Sequence, residues 1–247
     1  MVKSAERDQA MSLVEHLTEL RKRVMISIAA VMVGILVSFL WLYDPFLEYL
    51  TEPYREQTGK NLVLLAPTDG FTLKMSICMY GGFALAFPVL MYQLWRFITP
   101  GLTQRERNYA VPFVASSVVL FVFGAVLSQL VRDTTLDFLL TFGGNTFDPE
   151  LTAKSYMTFS ILMVLAFGVS FEFPIVLAFL LLTGIISPAH LSKWRRGAIV
   201  LIVAAAAIVT PSGDPFTLFV LAIPMYIFYE IVWVVGTIMQ RQRSRQT

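Results

Sequence analysis

Glu15 and Glu19 in "MSLVEHLTELRKR", and Glu106 in "TPGLTQRERNY", are carboxylates set among arginines and lysines. A carboxylate takes a guanidinium in bidentate geometry, which a lysine ammonium does not reproduce. The simpler reading is local: Glu19 pairs with Arg23 at i, i+4, and Glu106 with Arg105 or Arg107. On the residues alone, the local reading is favoured.

A second acid stands in apolar surroundings. Glu172, in "VSFEFPIVLAFLLL", falls near the middle of an apolar run from Tyr156 to Ile186, two residues before Pro174. A charge at the bilayer centre costs about 2.5–3.5 kcal/mol on insertion scales, so the acid is expected to rest protonated there. Pro174 lacks an N–H and frees the Ser170 carbonyl, to which a protonated Glu172 would donate in a purely structural role. The functional reading makes Glu172 a polar handle for an incoming helix.

Other chemistries fit less well. A proton-coupled secondary transporter with Glu172 as coupling carboxylate is the main alternative. Such proteins carry internal repeats and several intramembrane polar partners. Here only Glu172 and Glu230 are expected deep, with no deep basic residue, and Pro88, Pro174 and Pro224 are unequally spaced. An intramembrane hydrolase lacks a buried serine–histidine pair, because His16 and His190 both fall in cytoplasmic segments. Those two histidines and the single cysteine, Cys78, leave little for a transition-metal site. No cofactor is expected.

The elements that must position these acids are membrane helices. The chain has 247 residues, 56% hydrophobic and 15% charged, against about 45–50% and about 25% for soluble domains. Apolar runs cover Val24–Leu42, Met75–Leu94, Ala110–Val131, Tyr156–Ile186, Gly197–Val209 and Phe216–Met239. The fifth is short for a roughly 30 Å hydrocarbon core and predicts local thinning of the bilayer. With six spans and the N-terminus inside, all but five of the 19 Lys and Arg fall on the cytoplasmic side; the five are Arg55, Lys60, Lys74, Arg132 and Lys154. That bias favours six spans with both termini cytoplasmic. No cleavable leader is expected, since the first apolar run starts at Val24.

The expected fold is an all-α integral membrane protein with six transmembrane helices in a curved, concave bundle. One membrane domain spans residues 1–240, with an amphipathic helix over about 11–23, and a basic tail follows at 241–247. Leu13, Leu17, Leu20 and Val24 form that helix's apolar stripe. The outer loop from Tyr43 to Lys74 is expected to hold short interfacial helices broken by Pro45 and Pro53. A second outer loop covers Arg132 to Ser155. Ser187 reads as a helix cap with Pro188 in the first turn. Pro88, Pro174 and Pro224 are each expected to bend a span.

Four stretches together resemble the TatC family: "HLTELRKR" (16–23), "YQLWRFITPGLTQRER" (92–107), "FGVSFEFP" (167–174) and "LAIPMYIFYE" (221–230). They occur in the family's order and cover the chain from about Met11 to Met239. The resemblance implies a multispanning receptor that recognises signal peptides with paired arginines on folded cargo in the cytoplasmic (inner) membrane. It implies single-span TatA-like and TatB-like partners, a homo-oligomer within a hetero-complex, and use of the proton-motive force. Carried over by motif, Glu19 and Glu106 contact the arginine pair, with Arg21 at the motif's basic position and Glu15 beside them. Glu172 is the implied partner contact within the membrane. Asp214, Glu230 and Pro53 are further candidates; where the family commonly shows two prolines and an aspartate, this chain has "TPSGDP".

Overall fold

The computed structural model describes residues 13–59, 61–98, 110–142 and 151–244. Hydrocarbon offers no partner to backbone N–H and C=O groups, so a spanning segment satisfies them internally as helix. The described residues are accordingly almost all helical. Helix α1 runs Leu13–Val37, passes through a π-helical turn at Ser38–Leu42, and continues as α2, Tyr43–Thr58. Then come α3, Asp69–Ile98; α4, Ala110–Phe142; α5, Ala153–Ser170; α6, Phe173–Leu182; α7, Pro188–Val209; and α8, Pro215–Ser244. Five helical stretches are long and apolar enough to cross a membrane: Val14–Glu56, Asp69–Ile98, Val111–Phe142, Ala153–Leu182 and Pro215–Gln242. The chain is a multi-pass membrane protein.

Helix α7 is outside that set because its first turns carry Lys193, Arg195 and Arg196. It is nevertheless 22 residues long, or about 33 Å, well beyond the 13-residue apolar run that suggested a short helix. Ser187 caps it as expected: its side chain accepts from the His190 N–H at 3.2 Å, and Pro188 follows.

The stretch at the start is helical and runs unbroken into the first span as the first part of α1, with Leu17 and Val24 exposed along it. Two sequence expectations give way. The segment after the first span is one helix, α2. Pro45 sits in its first turn, directly after the π-helical turn, and Pro53 lies inside it. The expected outer loop after Val131 is helical as far as Phe142. Arg132 is buried there because Gln129 and Asp133 accept its guanidinium at 2.8 and 3.1 Å.

The helices enclose two apolar clusters. One gathers Leu50, Ile77, Leu136, Tyr156 and Met157 from α2, α3, α4 and α5. The other gathers Phe167, Phe171, Leu191, Leu221 and Met225 from α5, α7 and α8 with the turn after α5. Polar ties cross them: the Tyr156 hydroxyl donates to the Leu50 carbonyl oxygen at 2.9 Å, and Thr135 and Thr217 hydroxyls meet at 3.0 Å. Outside the helices, Ala153 N–H donates to the Val63 carbonyl oxygen at 2.9 Å, pairing the 61–65 segment with the start of α5.

Helices α1 and α3 pack along their lengths, and glycine makes this possible. A Cβ on Gly34 would stand 2.4 Å from the Gly82 carbonyl oxygen, and one on Gly82 would stand 2.4 Å from the Ile35 nitrogen. The two backbones touch.

Candidate functional site

The first turns of α1 and the last turns of α3 bound a groove of about 470 Å³. Val14, Glu15, Thr18, Glu19, Lys22, Arg23 and Ile26 line it from α1, with Gln93 and Arg96 from α3. The helices are pinned beside it by stacking of the His16 and Phe97 rings, 4.5 Å between centroids.

Glu19 is a half-buried acid of this groove. Its Oε1 accepts from the Arg23 Nε at 3.0 Å and from Nη2 of the same guanidinium, so the local i, i+4 pair expected from spacing is present. Its other oxygen, Oε2, is buried and has no hydrogen-bond partner among the described residues. A carboxylate oxygen removed from water and left unsatisfied costs about 1–3 kcal/mol or more. It is a standing acceptor for an added donor. Arg23 also reaches Gln93, with Nη1 donating to Oε1 at 3.4 Å. That contact holds an alternative partner ready if another cation takes Glu19.

Glu15 lies one turn before Glu19 on the same groove wall. Arg21 is exposed and does not line the groove. Glu106 lies outside the described residues. Gln93 and Arg96 were not singled out from the sequence; the signal was their spacing at the end of a helix antiparallel to α1.

The remaining candidates are dispersed. Glu172 sits between α5 and α6, where the long fourth apolar run breaks before Pro174. The backbone there is satisfied: Glu172 N–H donates to Val169 at 3.0 Å, and its own carbonyl receives Ile175 and Val176 at 3.0 and 3.1 Å. The side chain is not satisfied. Its Oε1 is buried without a partner, and so is the Ser117 hydroxyl that lies beside it on α4.

Glu230 is engaged. Arg195 Nη2 donates to its Oε2 at 2.7 Å, the Tyr226 hydroxyl donates to its Oε1 at 2.8 Å, and the Arg195 guanidinium lies 4.0 Å over the Trp233 ring. The expectation of a deep acid without a basic neighbour is therefore corrected. Arg195, read as a connecting-segment charge, belongs to the helix that faces it.

Asp214 serves the helix start. Its Oδ1 accepts from the Thr217 N–H at 2.8 Å, and the Ser212 hydroxyl donates to its Oδ2. Burial pushes this carboxyl up, but the bonds from Ser212 and Thr217 outweigh it and hold the pKa below the usual carboxylate range. Pro53 is half-buried in α2 and lies away from the groove.

Only Glu15 and Glu19 among the described candidates meet in one place. The others are a satisfied helix cap, an acid engaged in an ion pair, a helix-interior proline, an exposed arginine and an acid with a buried, unpartnered oxygen within an apolar span.

Comparison with known proteins gives one answer. The family model described as "Sec-independent protein translocase protein (TatC)" matches residues 15–224. A Sec-independent protein translocase protein TatC from Frankia casuarinae is 39% identical, over 97% of this chain and 69% of that protein. Its counterpart from Aquifex aeolicus is 36% identical, over 95% and 98%. A crystal structure described as the twin arginine translocase receptor TatC superposes with a TM-score of 0.76 at 36% identity, covering 91% of this chain and 99% of that one. The matched span holds the groove acids Glu15 and Glu19, the broken helix at Glu172 and the Asp214 cap alike, and the chain belongs to the TatC family of Sec-independent protein translocase proteins.

Proposed function

We propose that this protein is the signal-peptide receptor and core subunit of a twin-arginine translocase. It takes folded proteins across the cytoplasmic membrane at the expense of the proton-motive force. The observation that carries the reading is the buried, unpartnered Oε2 of Glu19 in a groove that Glu15 also lines. One arginine of the signal peptide docks on Glu19, which shares or exchanges its Arg23 contact. The other reaches Glu106, and Arg21 contributes positive potential against unpaired cations.

The topology that goes with this reading has six spans, α7 included, and both termini cytoplasmic, which puts the groove on the side where signal peptides arrive. The partners are single-span TatA-like and TatB-like proteins, with several copies of this chain per complex. Glu172 is the contact within the membrane.

Binding decides the matter. A charge-assisted hydrogen bond contributes about 1.5–3 kcal/mol, so Glu19→Gln weakens a paired-arginine peptide roughly ten- to a hundred-fold. The double variant Glu19→Gln/Glu106→Gln loses the preference for paired arginine over paired lysine. A double variant that still discriminates the two peptides at full strength refutes the assignment.

A further inference from the structure

A separate groove of about 470 Å³ lies between α6, α7 and α8 and shares no lining residue with the polar groove of α1 and α3. Along α7 its wall carries His190, Trp194, Leu201 and Ala205, at i, i+4, i+11 and i+15, which is one face of a helix. Phe173 and Leu177 close it from α6 and Tyr229 from α8, and no Asp, Glu, Lys or Arg lines it. Those three residues belong to segments apolar enough to cross a membrane, Ala153–Leu182 and Pro215–Gln242, so the groove lies at membrane depth. One end is braced. The Tyr229 hydroxyl donates to the Leu191 carbonyl oxygen at 2.6 Å, and Arg195 is held by Glu230 of the same α8.

Charge gathers at that braced end. His190, Lys193 and Arg196 stand at i, i+3 and i+6, a row that starts on the groove wall and leads off along its flank. All three are exposed, and among the described residues neither Lys193 nor Arg196 has an ion-pair partner. Trp194 stands beside them, 52% exposed, with its ring against Gly197, where a Cβ would lie 2.9 Å from the indole. A side chain with an apolar ring and one polar N–H belongs at the boundary of hydrocarbon and water. From Trp194 to Ala205 the helix rises about 16 Å, close to half of a roughly 30 Å hydrocarbon core. The groove descends from a cationic, aromatic rim to about the bilayer midplane.

We infer that this groove seats one acyl chain of an anionic phospholipid, whose phosphate is held at the rim by Lys193 and Arg196. The inference goes beyond the receptor reading above and does not depend on it. Length and charge together choose the occupant. An acyl chain reaches from the interface to the midplane, as the groove does. A phosphate placed at the rim takes charge-assisted hydrogen bonds from two cations that have no acid of their own, and basic clusters beside membrane helices attract anionic lipid. A zwitterionic lipid offers the same chain but sets its own cation against that rim. A partner helix would cover the apolar wall and leave both cations unpaired. The seated headgroup also fixes the depth of α7, whose apolar run, Gly197–Val209, is shorter than the hydrocarbon core.

The test offers the full chain, purified in detergent, equal amounts of phosphatidylglycerol and phosphatidylcholine with identical acyl chains, and counts the lipids it retains by native mass spectrometry. The parent protein should prefer phosphatidylglycerol. Lys193→Gln/Arg196→Gln should lower that preference by roughly 30-fold, about fivefold for each charge removed. Ala205→Phe fills the deep end of the groove and should cut retention of both lipids several-fold. Ala207→Phe, exposed on the same helix but outside the groove, should change neither. An undiminished preference in the double Gln variant overturns the headgroup seat, and equal behaviour of the two Phe variants overturns the groove. In native membranes a photoreactive side chain at Leu201, 60% exposed on the groove wall, should gain the mass of a phospholipid. A protein adduct there instead assigns the groove to a partner helix and defeats the inference. Should the double Gln variant fail to accumulate, the Phe pair and the Leu201 adduct decide without it.

Discussion

Arg195 Nη2 donates to Glu230 Oε2 at 2.7 Å, joining the second turn of α7 to the second half of α8 across 35 residues of chain. The same guanidinium lies over Trp233, and Tyr226 holds the other carboxylate oxygen. Both side chains are part-exposed, 37% and 28%, so solvent and headgroups screen the pair. A double-mutant cycle with Arg195→Met and Glu230→Gln is expected to give a coupling energy of about 0.5–1 kcal/mol. Arg195→Met alone should cost more than that coupling, through lost stacking on Trp233. Thermal unfolding in detergent measures both.

Arg23 is the resident competitor at Glu19. Replacing it with methionine keeps much of the packing and removes the cation. Binding of a paired-arginine peptide should then tighten by about two- to tenfold, because the incoming guanidinium no longer shares the carboxylate. Gln93→Leu should act the other way, since Arg23 loses the amide that receives it when displaced. A titration of each variant with one labelled peptide reads the sign directly.

The α1–α3 contact depends on two glycines. Gly82→Ala puts a Cβ 2.4 Å from backbone, whereas Gly70→Ala meets only the Leu64 side chain at 3.8 Å. The first must push the helices apart and is expected to cost about 1–3 kcal/mol. The second should lie within about 0.5 kcal/mol of the parent protein. Comparable unfolding midpoints for the two variants would contradict this packing.

Asp214 links stability to acid. Its folded pKa lies below the unfolded value of about 3.9. Its contribution is therefore fully present above pH of about 4 and is lost as pH falls through the folded value. Asp214→Ala removes the cap and should cost about 0.5–2 kcal/mol at neutral pH. Asp214→Asn keeps an acceptor for the Thr217 N–H and should cost less. The advantage of the parent protein over Asp214→Asn should shrink only below pH about 4, as followed by unfolding at a series of pH values.

Much of this architecture was legible in the sequence, for a physical reason. Apolar runs such as Phe216–Met239 have one low-cost conformation in hydrocarbon, so composition alone placed the long helices. The break at Pro174 and the Ser187 cap follow from local backbone chemistry and were equally readable. What failed was long-range or compensated. Pro53 reads as a break, yet it lies inside α2. Arg132 reads as the start of a loop, yet Gln129 and Asp133 satisfy it within α4. No periodicity relates Arg195 to Glu230. The unpartnered oxygen of Glu19 is likewise invisible to spacing, which foretells the Arg23 pair and stops there.

Glu172 remains, and its geometry separates the two roles open to it. In the structural role its side chain would repair the Ser170 carbonyl freed by Pro174. The Oε1 atom makes no such bond; it is buried and unpartnered beside the equally unpartnered Ser117 hydroxyl. A buried carboxyl oxygen with the Ser117 hydroxyl close beside it, at a break in the helix, suits a site that an arriving polar group completes. A hydrogen bond of that kind in lipid is worth about 0.6–2 kcal/mol, or roughly 3- to 30-fold in affinity. Glu172→Gln should therefore keep most of the docking of a single-span partner, while Glu172→Leu loses it by that factor and still inserts and folds. Ser117→Ala removes a buried orphan and should leave stability nearly unchanged, while weakening docking if the hydroxyl shares the partner's group. Co-purification with the single-span protein, alongside membrane abundance, reads both effects. Normal export by Glu172→Leu would dispose of the polar handle, and failure of that variant to accumulate in the membrane would return Glu172 to a structural role.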